Sequence, residues 1–231
     1  MRPQVNDKTS LASRFRRKRF ELVEELIQAL SARAAKTGGD GRVRILDVGG
    51  RRDYWTLLGD DLAPKVSIII LNNEEVELET GAAPDDGLDV TYELGDARAM
   101  PQYADHAFDF AHSNSVIEHV GGLQDMAAMA DETRRLAPAY YVQTPYLWFP
   151  MEPHYGVPFF HWLPAPTRAQ LGVRYKVGYR AQQPDWRAGA ALVDHTSLLD
   201  QAAMRALFPD AEHRRERFAL MTKSLIAFRR P

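Results

Sequence analysis

The chain has 231 residues, 45% of them hydrophobic, enough for one large domain around a buried core and too few for more than two small ones. Lys and Arg number 29 against 31 Asp and Glu, so the net charge of -2 supplies no basic field for a nucleic acid. Cys is absent, which excludes a disulfide framework, a thiolate metal site and a cysteine nucleophile; with no apolar signal segment and no apolar run near the ~20 residues that cross a bilayer, a cytoplasmic protein without a membrane span is expected.

Residues 1 to 8 are polar. Leu22, Val23, Leu26, Ile27 and Leu30 then recur at helical spacing and predict a leading helix that ends before Thr37-Gly38-Gly39. In its first half Arg14, Arg16, Arg17, Lys18 and Arg19 surround Phe15 and Phe20, and a solvated basic face accounts for them better than an anion clamp does.

Strand, turn and helix alternate after that. Apolar strands are predicted at Val43–Val48, Val66–Asn72, Asp89–Leu94 and Phe108–Ser113, a helix from about Gln124 to Leu136, and a fifth strand over AYYVQTP, closed by Pro145. Continuous apolar strands separated by stretches of helix length imply an α/β class protein with a Rossmann-like, doubly wound, mostly parallel sheet and helices on both faces. The run TPYLWFPMEPHYGVPFFHWLPAP is too rich in proline for a regular helix or central strand and too apolar for a linker, so it predicts an ordered loop with a short helix covering the end of the sheet. AEHRRERF and ALMTKSLIAFR read as a C-terminal antiparallel hairpin that completes the sheet.

In such a sheet the ligand crevice lies beyond the carboxyl ends of the strands. Those ends are Asp47 to Gly50, Leu71 to Asn73, Gly95 to Ala97 and Ser113 to Ser115, each small or polar where the strand interiors are apolar. Gly49 and Gly50 let main chain approach a ligand closely, but Arg51 and Arg52 stand where a dinucleotide fingerprint would supply further glycine.

ILDVGG, GDARAMP and FDFAHSNSVIEHV, in that order and spacing, resemble the first, third-strand and fourth-strand motifs of the class I S-adenosylmethionine-dependent methyltransferases, a resemblance running from about Val43 to Arg229. SVIEHVGG with YYVQTPYLWFPMEPHYGVPFFHWLP looks like a bacterial subgroup of that superfamily. The resemblance implies one domain: a helical cap at 1–40, a cofactor-binding core at 41–144, an aromatic insertion on the substrate side at 145–205 and a hairpin at 206–231. It also implies S-adenosylmethionine as cofactor and methyl transfer to a hydroxyl or amine of a small molecule, in secondary-metabolite, saccharide or lipid biosynthesis.

On that resemblance Asp47 faces the ammonium of the cofactor, with capping of the next helix as the alternative, while Gly49 and Gly50 admit the methionyl part. Asn72 takes the ribose position, where the family usually has an acid; Glu74 competes with it if the strand ends later. Asp96 and the Ala97 amide read adenine, and Ser113 and Asn114 line the methionyl end, unless either caps a helix. His119 is the first candidate base, His154 with Glu152 the second, and His161 and His195 follow. Tyr146, Trp148, Tyr155 and His161 are expected at the acceptor, although the same aromatic rings also suit a second core. Three rival readings remain: a methyltransferase-like scaffold without catalysis, motivated by Asn72; a nicotinamide oxidoreductase, opposed by the incomplete glycine fingerprint; and a metal hydrolase built from His112, Glu118, His119 and His154. The last is opposed by the lack of a familiar metal-site spacing, so no metal is expected.

Overall fold

The computed structural model describes residues 11–38, 40–73 and 87–231. The polar first residues and Glu74 lie outside them. The leading helix α1 spans Leu11–Lys36, and its predicted apolar stripe is buried: Val23, Leu26 and Ile27 are fully enclosed. Each such side chain stabilises the fold by about 1.5–3 kcal/mol relative to exposure.

The main sheet is built from β1 (Val43–Val48), β2 (Val66–Asn72), β3 (Asp89–Leu94), β4 (Phe110–Asn114), β5 (Ala139–Pro145), β8 (Glu212–Phe218) and β9 (Met221–Arg229), in the order β3-β2-β1-β4-β5-β9-β8. The first five are parallel, and β9 runs antiparallel to both of its neighbours. The chain works outward from β1 to β3, then returns to place β4 on the other side of β1. The strand order therefore reverses between β1 and β4, and a crevice opens beyond their carboxyl ends.

The pleat sends alternate residues of β1 to opposite cores. Val43 and Ile45 pack with α1, with Tyr54 and Trp55 of the short helix α2 (Arg52–Trp55), and with Phe110, Tyr141 and Phe228. Leu46 and Val48 pack on the other face with Met126, Met129 and Leu136 of α3 (Leu123–Leu136) and Met204 of α6 (Gln201–Leu207).

Three differences from the sequence reading have local causes. β4 starts at Phe110 and not at Phe108, because the Phe108 amide bonds to Leu136 O and the Asp109 amide to Arg44 O before the parallel ladder begins. No helix fills residues 95–109; turns replace it, held where Glu132 accepts from the Met100 amide and Arg135 donates to the Met100 and Tyr103 carbonyls. The proline-rich insertion is more helical than expected. After a small hairpin of β6 (Met151–Glu152) and β7 (Val157–Pro158), α4 (Ala165–Arg174) starts on Pro164 and Pro166, where a missing N–H costs nothing. It packs against α5 (Trp186–Asp194), and Gly189 lets the helices close: a Cβ there would come within 2.7 Å of Ala169 O. Among the described residues no helix is long and apolar enough to cross a membrane.

Candidate active site

The glycine turn after β1 is built from beneath. Gly49 has φ of +68°, and its amide donates to Leu71 O at 2.7 Å, carrying the β1–β2 ladder one step past the strand. A Cβ on Gly50 would fall 1.6 Å from Asp47 Oδ2, so the second glycine is the space above that carboxylate.

Asp47 itself is fully buried. Its Oδ2 accepts from Trp55 Nε1 at 2.7 Å, and its Oδ1 accepts from His112 Nδ1 at 2.7 Å. His112 stacks on Tyr141 with centroids 5.4 Å apart at 11° and meets the edge of Trp55. Asp47 therefore does not face the crevice as the resemblance implied. It follows Val43 and Ile45 by the period of two, so the pleat turns it toward α1 and Trp55. It does not cap α2 either, whose N-cap Arg51 makes no side-chain cap bond.

Beyond the turn, a cleft is lined by Gly49, Asn72, Asp96, Ala97, Arg98, Val116 and His119, among others. Asn72 donates through Nδ2 to Gly50 O at 3.3 Å, which keeps its carbonyl oxygen as the acceptor. Asp96 is clasped by Arg98, with Nε to Oδ1 at 2.9 Å and Nη2 to Oδ2 at 2.7 Å, and those bonds hold its carboxyl below the usual range. Arg98 also reaches Asp125 Oδ1 at 2.9 Å and so ties the third-strand turn to the start of α3. Gly50 and Ser113 do not line this cleft. Ser113 is buried, and among the described residues its hydroxyl has no partner.

At one side of the cleft stands a cluster that residue spacing did not reveal. Ser115, with φ of +60° and its hydroxyl donating to Gln143 Oε1 at 3.0 Å, turns the chain after β4 into a 3-10 turn, Ile117–His119. Glu118 points inward and is fully buried. Its Oε2 accepts from Thr144 Oγ1 at 2.9 Å, while its Oε1 has no partner among the described residues, and burial pushes its carboxyl up to about 7. His119 points to the cleft and donates through Nδ1 to His195 O at 3.0 Å; burial holds its imidazole below the usual value.

The β6–β7 hairpin brings in the third member. Glu152, buried, accepts from the Tyr155 amide through Oε2 at 2.6 Å and from His154 Nδ1 through Oε1 at 2.7 Å. The rings of His119 and His154 lie 4.8 Å apart, those of His119 and His195 5.0 Å. Glu118, His119 and His154 each offer a ligand atom within 4.8 Å of the others. His112, which the hydrolase reading grouped with them, is bonded instead to Asp47.

A second cavity of about 580 Å³ adjoins the cluster, lined by Glu152, Tyr155, His161, Arg168 and Thr196 among others. Tyr155 also packs on Phe160 and Val177 in a small core of its own and donates to Leu192 O at 2.8 Å. His161 Nε2 lies 2.8 Å from Leu147 O, and burial keeps its ring below the usual value. Tyr146 and Trp148 line neither cavity; Trp148 is exposed and leans on Trp162 with centroids 6.0 Å apart. The sequence reading assigned no role to Arg98 or Val116 in the cleft, or to Trp55 beneath it. Alternation along β1 separates Asp47 from Val48 but does not say which face holds the indole.

Residues 46–138 match the methyltransferase domain family. Among curated proteins none matches the chain in sequence. Among solved structures, the PH0226 protein from Pyrococcus horikoshii OT3 is 15% identical, with 97% of this chain and 93% of that chain aligned and a TM-score of 0.54. A possible exported protein from Bordetella parapertussis is 14% identical over 95% of this chain and 68% of that one, with a TM-score of 0.56. The N-terminal domain of EvdMO1, solved with S-adenosylhomocysteine bound, is 20% identical over 88% and 80%, with a TM-score of 0.50. Residues 46–138 thus resemble the methyltransferase domain family, within a chain whose Rossmann-like fold is shared with the PH0226 protein and the EvdMO1 domain.

Proposed function

We propose that the protein binds S-adenosylmethionine in the cleft beyond β1, β2 and β3 and transfers its methyl group to a hydroxyl or amine of a small molecule, in saccharide, lipid or secondary-metabolite biosynthesis. The observation that carries the reading is the convergence of Gly49, Asn72, Asp96 and Ala97 on one cleft at the reversal of strand order, inside the segment that matches the methyltransferase domain. The EvdMO1 domain was crystallised with S-adenosylhomocysteine bound and also in the presence of that ligand and D-fucose, which supports a sugar hydroxyl as the acceptor.

The donor set suits the cofactor. The Asn72 carbonyl oxygen accepts from a ribose hydroxyl, and Asp96, oriented by Arg98, stands at the adenine end with the Ala97 amide. Gly49 offers bare main chain to the amino-acid tail, and Asp47 fixes that turn from below through Trp55 and His112. The cofactor supplies an electrophilic methyl carbon on a sulfonium, so the protein's task is to hold an acceptor in line in a dry site. His119 and His154 each give one ring N–H to an oxygen of the protein, which leaves the other nitrogen of the neutral ring as a lone pair toward the acceptor side. Glu152 orients His154. Tyr155 and His161, in the wider cavity, enclose the acceptor body.

Calorimetry with S-adenosylhomocysteine tests the reading. One site per chain is expected, weakened at least tenfold by Asp96→Ala, with no heat from NAD; absence of binding at millimolar ligand would refute it. The scaffold reading draws on one observation: Asp47 and Asp96 are both already engaged by protein side chains. It predicts binding of the demethylated cofactor with no methyl transfer across sugar, phenol and amine acceptors.

A further inference from the structure

We propose that Glu118, His119 and His154 bind one divalent transition-metal ion, with coordination positions left open for an oxygen ligand. The three donors come from two distant parts of the chain, the turn after β4 and the β6–β7 hairpin, and converge so that their ligand atoms lie within 4.8 Å of one another. Donors that share an ion at about 2.0–2.2 Å stand roughly 3–3.5 Å apart in a tetrahedral site, so closure needs movements of about an ångström in two half-buried imidazoles.

Each donor is prepared independently. An imidazole that binds a metal through one nitrogen gives its other N–H to a carbonyl or carboxylate, which fixes tautomer and ring orientation. His119 does so to His195 O at 3.0 Å, and His154 to the buried carboxylate of Glu152 at 2.7 Å. Glu152 is itself held by the Tyr155 amide at 2.6 Å and cannot swing away without losing it. Glu118 spends one oxygen on Thr144 Oγ1 at 2.9 Å and keeps Oε1 buried with no partner among the described residues. A lone buried carboxylate oxygen costs the fold stability unless something positive meets it, and a cation held between Glu118 and the two rings answers that need.

The donor types select the ion. Two imidazoles and a carboxylate suit zinc, iron(II), cobalt(II) or manganese(II) and not calcium or magnesium, which take oxygen ligands. A three-ligand set leaves positions open. His119 stands at the cofactor cleft, and Glu152, behind His154, at the 580 Å³ cavity, so an incoming oxygen would meet the ion between the two. A hydroxyl or carboxylate oxygen of the acceptor fits that position. Only this last assignment rests on the methyl-transfer reading; the ion site stands on its own geometry.

The test uses the full chain stripped with a chelator and titrated with cobalt(II), then with zinc(II) in competition. One equivalent per chain is expected, with visible absorption bands of a low-coordinate cobalt site that zinc abolishes. His154→Ala and the isosteric Glu118→Gln should each weaken binding at least tenfold, and Glu152→Gln, which touches no ion, by ~10–100-fold. His106→Ala, remote from the cluster in sequence and absent from it in space, should bind as the parent does. Circular dichroism confirms that each variant is folded. Failure of the parent chain to take up a stoichiometric ion, or equal uptake by folded His154→Ala, overturns the proposal. Binding of S-adenosylhomocysteine to the same metal-free protein reports separately on the methyltransferase reading.

Discussion

Gly49→Ala tests the cleft where main chain and ligand are meant to meet. The φ of +68° places the residue in the left-handed region, which costs an L-residue about 1 kcal/mol. The new methyl would also stand 2.6 Å from both Val116 Cγ atoms, where carbon atoms ordinarily settle at about 3.5–4.0 Å. Overpacking of that kind adds about 1–3 kcal/mol, so a total of roughly 2–4 kcal/mol is expected. Urea unfolding followed by circular dichroism measures it. Val116→Ala removes the colliding methyls, so in a double-mutant cycle the pair should recover about 1–3 kcal/mol relative to additivity and leave only the backbone part. Stability of Gly49→Ala within about 0.5 kcal/mol of the parent, or strict additivity with Val116→Ala, would show that the turn is not built this way.

Asp47→Asn should destabilise by about 2–4 kcal/mol in the same unfolding assay, since an amide accepts from Trp55 or from His112 but not from both, and the charge assistance to each is lost. Trp55→Phe leaves one buried carboxylate oxygen unmet and should cost about 1–3 kcal/mol. Glu132 is held below its ordinary value of 4.5 by Arg135 and by the Met100 amide. Its folded value is thus the lower one, so its contribution is complete above pH 4.5 and disappears as the pH falls through the folded value. Melting temperatures followed from neutral pH into acid should therefore fall less steeply for Glu132→Gln than for the parent, and parallel curves would refute the link.

Much of the architecture was legible because each level of the sequence agreed with the next. The apolar runs of β1 and β2, the stripe from Leu22 to Leu30 and the switch to proline after β5 each left few alternatives. The start of β4 was not legible, since Phe108 looks like strand and is claimed instead by the end of α3. Nor was α4, whose prolines read as breakers although they begin the helix. In the site, the residue types at the strand ends identified the cleft, but not which way Asp47 turns. The pleat decides that, and it shows only once Trp55 and His112 are seen on the same face. Glu118 and His154 are 36 positions apart in the numbering and no local spacing joins them; only the fold of the β6–β7 hairpin brings them together.

The place of β9 in the sheet sets a timetable for the nascent chain. β5 is buried from Ala139 to Thr144, and its outer edge is satisfied by β9, not by β8. Residues 146–220 must leave the ribosome before that edge is closed, which at about 5–20 residues per second is an interval of roughly 4–15 s. During it the nearly finished core presents an unpaired greasy border to every other protein in the cell. Production of this protein should therefore depend on chaperone capacity far more than the stability of its finished form would suggest.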